Sequence, residues 1–148
     1  MKSSPAYTLI ELLVVMALAG LLMIGGVTAF VTAKNNQDLS QTTDHIADTF
    51  RRAHIFSRDA KEEKEWGVQS TDTDQYMIVS RSLPEDLPQV VVTYSLPSSV
   101  HFSAPFLVWF GKGTGEIDAP FVETIENTNK QKNTLRVEKT GMVSFGAE

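Results

Sequence analysis

Between Leu12 and Val31 the chain carries no charged side chain. A helix over that stretch, at ~1.5 Å per residue, is long enough to cross a ~30 Å hydrocarbon layer. Glu11 stands at the head of the run. A carboxylate at that depth costs on the order of 2.5–3.5 kcal/mol on insertion scales unless a partner meets it. Its presence implies a cation that comes to it. Val27-Thr28-Ala29 and Val31-Thr32-Ala33 would each suit a signal peptidase. Against an ordinary secretory signal, the uncharged run exceeds the usual ~7–15 residue apolar core. In a plain signal or anchor, Glu11 has no purpose.

The residues Ala6-Tyr7-Thr8-Leu9-Ile10-Glu11-Leu12-Leu13-Val14-Val15 closely resemble the N-terminus of type IV pilins and type II secretion pseudopilins. The resemblance implies a leader of residues 1–6, cleavage between Ala6 and Tyr7, and N-methylation of Tyr7. Glu11 then falls at the fifth mature position, where the family has its glutamate. The family has glycine where Ala6 stands and phenylalanine where Tyr7 stands; tyrosine keeps the aromatic ring. Cleavage would free the Tyr7 α-amine, largely protonated at neutral pH with a reference pKa of ~7.7–8.0. In a filament core that amine can pair with Glu11 of a neighbouring subunit, and a buried pair fixes register where a lone carboxylate would be expelled. Tyr7 and Glu11 are thus the expected assembly residues.

A length of 148 residues with one N-terminal apolar segment leaves room for one small domain. A net charge of −5 argues against a chain-wide nucleic-acid surface. The absence of cysteine excludes disulfides and thiol chemistry, so an exported domain must be held by its core. Lys2 and the initiator amine bias the N-terminus toward the cytoplasm, which puts the remainder in the periplasm. Gly20, Gly25 and Gly26 are weak points in the apolar helix, each costing roughly 1 kcal/mol against alanine. They either admit a neighbouring helix or, as the resemblance implies, let the segment loosen on moving from bilayer to filament. The proline that family members often carry further along is Thr28 here.

After Val31 the composition turns polar without a helix breaker. Leu39, Thr43, Ile46, Phe50, Ala53, Ser57 and Ala60 recur at spacings of three and four, an amphipathic stripe. The expectation is one nearly continuous helix from Tyr7 to about Glu62, membrane-spanning over 7–31 and amphipathic over 32–62. From Trp66 to the C-terminus short runs rich in Val, Ile, Thr and aromatics predict strands, expected at Trp66–Ser70, Gln75–Ser80, Gln89–Ser95, Phe106–Phe110, Phe121–Ile125, Thr134–Glu138 and Met142–Phe145. The predicted class is α+β, a long N-terminal helix packed on an antiparallel β-sheet or β-sandwich domain spanning 66–148. Phe106–Phe110, the turn Gly111-Lys112-Gly113-Thr114-Gly115 and the strand led by Gly141 are similar to the C-terminal half of the minor pseudopilin H/FimT (GspH-like) group. DNA-binding members carry arginines after that last glycine. Here Met142, Val143 and Ser144 follow, so nucleic acid is not an expected partner.

Other candidate chemistry is sparse. Gly111-x-Gly113-x-Gly115 lacks the following helix that a phosphate loop needs. Asp72 and Asp74 supply too few oxygens for calcium, and His45, His54 and His101 have no ligand spacing among themselves. No cofactor, metal or catalytic constellation is expected. Lys130, Lys132, Arg136 and Lys139 form the one basic cluster, readable as a solvated loop and strand face or, less favoured, as a patch for DNA or an acidic partner. The expected function is a non-enzymatic subunit, more minor than major, of a type IV pilus or secretion pseudopilus. Its expected partners are other pilin or pseudopilin subunits, a prepilin peptidase/N-methyltransferase, an inner-membrane assembly platform and the bilayer. The competing expectation is a membrane-anchored binding module that does not polymerise.

Overall fold

The computed structural model of the chain describes residues 8–147. One α-helix, α1 (Leu9–Arg58), precedes eight strands: β1 (Glu65–Ser70), β2 (Gln75–Arg81), β3 (Gln89–Ser95), β4 (Val100–Phe102), β5 (Phe106–Phe110), β6 (Phe121–Asn127), β7 (Lys132–Val137) and β8 (Val143–Ala147). The chain divides into two compact units after Lys34. In the first, the helix is apolar all round and its side chains are exposed, Leu22 at 77 % and Phe30 at 71 %. Such a helix has no core of its own to bury against.

The second unit begins at Asn35 and holds the whole core. Leu39, Thr43, Ile46, Phe50, Ala53 and Ser57 are buried as their spacing predicts. Thr42, Ala47 and Thr49 are buried as well, so the covered stripe is wider than a one-sided helix needs. Two sheets account for this. One has strand order β3-β2-β1-β5 and the other β4-β6-β7-β8, and the pairs between neighbours are antiparallel. Trp66, Val68, Tyr76, Ile78 and Val108 from the first sheet share one core with Phe102, Ile125, Leu135 and Val137 from the second. Phe50 on α1 reaches both: its ring centroid lies 5.9 Å from Phe106 and 6.0 Å from Phe121. The buried hydroxyls of Thr43 and Thr49 donate to the carbonyls four residues back, Leu39 at 2.7 Å and His45 at 2.9 Å, so the wider stripe leaves neither unsatisfied.

The helix ends at Arg58, earlier than the expected Glu62. Ala60 takes a left-handed conformation (φ 47°), and a 3₁₀ turn over Lys61–Glu63 follows. Ser57 explains the early stop. Its hydroxyl donates to Phe110 O at 2.6 Å and accepts from Trp66 N at 2.9 Å. Its carbonyl accepts from Ala60 N at 3.0 Å and Gly113 N at 2.8 Å. The chain must reverse here for Trp66 to enter β1, so the charged run Lys61–Lys64 does not extend the helix. Strands β3 and β5 occupy their expected ranges, while β6 runs on to Asn127, β7 starts at Lys132 and β8 covers Val143–Ala147. β4 was not expected. It follows Pro97-Ser98-Ser99, which reads as a turn, yet buries Val100 and Phe102 and pairs with β6.

Candidate functional site

Ala6 and Tyr7, the expected cleavage and methylation site, lie outside the described residues. Glu11 is described, and it has a partner that the sequence reading left out. Thr8 donates to its carboxylate through the backbone N–H at 2.9 Å and through the hydroxyl at 3.0 Å, while Glu11 N–H approaches the Thr8 hydroxyl at 3.3 Å. This is a capping box, which satisfies N-terminal amide groups that have no partner inside the helix. The Thr-x-x-Glu spacing in Thr8-Leu9-Ile10-Glu11 signals it. Glu11 therefore has a use within its own chain, contrary to the expectation that only a neighbouring cation gives it one.

The helix passes through Gly20, Gly25 and Gly26 without interruption. A methyl group at any of the three would meet nothing within 4 Å. The Thr28 hydroxyl donates to Gly25 O at 3.0 Å. Next to the division after Lys34, Asn35 and Asn36 are tied to the β6–β7 turn. Asn35 donates to the Thr128 hydroxyl at 2.9 Å, and Asn127 donates to the Asn36 side chain at 3.1 Å. Asn133 reaches the Thr43 hydroxyl at 3.0 Å. These amides hold the start of the second unit's helix segment, and nothing in the sequence pattern beyond a polar run announces them.

The four basic candidates spread along β7. Lys132 and Arg136 lie on one face, about 13 Å apart at ~3.3 Å per residue, while Lys130 and Lys139 lie beyond the two ends of the strand. Lys132 is paired with Glu126 at 3.7 Å, and Arg136 is exposed between Val122 and Ser144 on the adjacent strands.

The glycine-rich turn 111–115 serves packing. Gly115 (φ 73°) and Gly141 (φ 80°) both have left-handed backbones, and a Cβ at either would come within 2.6 Å of the His54 ring. His54 thus fills the space between two backbones that only glycine leaves open. Its ring lies 5.7 Å from Phe110, and burial, aided by the Arg58 charge, holds its pKa below the usual imidazole value. His45 bonds the Tyr76 hydroxyl at 2.5 Å. Burial pushes the Tyr76 pKa up to about 12. Among the described residues, no three His, Cys, Asp or Glu side chains could jointly hold a metal. Asp74 instead accepts Leu96 N at its backbone carbonyl, 2.8 Å away, extending the β2–β3 pairing beyond Gln75 and Ser95.

Residues 1–27 match the family described as the prokaryotic N-terminal methylation motif. Among solved structures, the fold is similar to the type IV minor pilin FimU of Pseudomonas aeruginosa strain PAO1. The TM-score is 0.59 at 11 % sequence identity, and the match covers 74 % of this chain and 97 % of that one. No curated protein matches the sequence. The chain therefore carries a prokaryotic N-terminal methylation motif at the head of a pilin fold, one long helix followed by antiparallel sheets.

Proposed function

We propose that this chain is a minor pilin-like subunit of a type IV pilus or pseudopilus, anchored in the membrane by its N-terminal helix before it polymerises. The observation that carries this reading is the joining of a methylation motif to an apolar helix with none of its membrane-length window buried in its own chain. Apolar surface of that extent needs lipid or other helices to cover it. Both are provided in turn when a subunit moves from bilayer to filament. Cleavage between Ala6 and Tyr7 frees and methylates the amine. Within the filament, Glu11 exchanges part of its bonding to Thr8 for the charged amine of a neighbour, which strengthens the contact because both partners are then ionised. Gly20, Gly25 and Gly26 are the positions where the segment yields during that transfer. The β-domain lies on the periplasmic side and faces outward once assembled, and the role is structural rather than enzymatic.

The test is Glu11→Val. The variant should insert into the membrane at wild-type levels, yet fail to enter filaments or complexes with partner subunits. Wild-type incorporation of the variant would remove the pairing argument.

A further inference from the structure

The second unit carries a groove of about 320 Å³ between α1 and the segment leading into β8, lined by Arg51, His54, Thr140, Gly141, Met142 and Val143. That size matches the lower end of ligand clefts, enough for one or two side chains. Arg51 makes no ion pair or hydrogen bond among the described residues, unlike Arg52, which is paired with Asp48 at 3.0 Å. His54 has ring contacts but no hydrogen bond among those residues. The groove therefore presents unused donors at one side. Met142, 68 % exposed, gives the other side an apolar wall.

The loop joining β2 and β3, Leu83-Pro84-Glu85-Asp86-Leu87-Pro88, has the opposite character. Leu87 is 86 % exposed, the largest exposure among the large apolar side chains of the described residues, and Leu83 is also exposed. Glu85 makes no hydrogen bond or ion pair among the described residues, so its carboxylate is available. The loop is also held in shape. Asp86 accepts Leu83 N–H at its carboxylate (2.9 Å) and donates its own N–H to Leu83 O (3.0 Å), while Arg81 donates to Pro84 O at 2.8 Å. A preformed loop loses little conformational freedom on docking.

We propose that the Leu83–Pro88 loop of a second copy of this chain seats in this groove, with Leu87 against Met142 and Val143 and the Glu85 carboxylate against Arg51. Charge and apolarity are complementary at both ends of the contact. Loop and groove are different patches of one surface, so the contact is heterologous, and each linked pair leaves one loop and one groove unoccupied. The polymerising setting rests on the function proposed above; the contact itself rests on the loop and groove.

The chain has no cysteine, so introduced ones report without background. Full-length Leu87→Cys and Met142→Cys variants would be co-expressed in native membranes and mildly oxidised, after thermal melts confirm that each folds. A disulfide-linked dimer should form from the mixture and from neither variant alone. Arg51→Glu or Glu85→Arg should lower its yield roughly tenfold, and the two reversals placed in opposite partners should restore it. No mixed dimer, or one indifferent to charge reversal, overturns the contact. Filament incorporation scored in the same samples separates the two readings: incorporation without the cross-link sinks only this contact, and the cross-link without incorporation sinks only polymerisation.

Discussion

Residues 9–34 and 35–58 belong to one helix, but they use it in opposite ways. The first stretch is apolar on every side and exposed, while the second is apolar on one broad stripe that is almost wholly buried. In the second, helix formation and domain packing stabilise each other. In the first, the apolar side chains add nothing to the stability of the domain, so their sequence is free to answer to lipid and neighbouring helices. The amide contacts of Asn35 and Asn36 mark where the one regime gives way to the other.

This contrast can be broken most sharply at Phe50. Phe50→Ala should destabilise the domain by about 3–5 kcal/mol, as loss of a fully buried aromatic does. Leu21→Ala, in the exposed stretch, should leave the same unfolding transition unmoved. Urea unfolding followed by the fluorescence of Trp66 and Trp109 reads both, and a large effect of Leu21→Ala would erase the distinction. Ser57→Ala should cost roughly 1–3 kcal/mol, since it leaves Trp66 N–H without its partner and removes the hydroxyl from Phe110 O.

A pH-dependent effect follows from His54. Its pKa is depressed in the fold, so the unfolded chain takes up the proton first as pH falls. Stability should be fully kept above the ordinary imidazole value of about 6.5 and decline as pH drops from there toward the lower folded value. The slope should shrink in His54→Asn. If the two proteins lose stability in parallel over that window, His54 is not its source. The smallest expected effect belongs to Thr8→Val, which removes the helix cap at about 1 kcal/mol. It should speed amide exchange in the first turn of the helix and leave the domain's unfolding unchanged.

Periodicity made the helix and its stripe legible, because Leu39, Ile46, Phe50 and Ala53 recur at a spacing that only a helix places on one side. Strands such as β3 and β5 were legible for the same local reason, being runs of β-branched and aromatic residues bounded by turn residues. The features that escaped depend on distant parts of the chain. β4 is three residues long and becomes a strand by pairing with β6. The helix stops at Arg58 because Ser57 bonds β1 and β5, not because of any residue after it that breaks helices. His54 met its two glycines from more than fifty positions away along the chain, so no spacing rule could pair them. The Glu11 cap was the exception. It was written locally as Thr-x-x-Glu, but the cost of burying a carboxylate directed attention to a partner outside the chain.

The central claim is that the apolar half-helix is trimmed and then covered by its neighbours. Intact-mass and N-terminal sequencing of the chain purified from native membranes tests it most directly. The expected mature chain starts at an N-methylated Tyr7 and retains the whole helix. A chain that still begins at Met1, or one cut after Ala29 or Ala33 with the apolar segment gone, would contradict it.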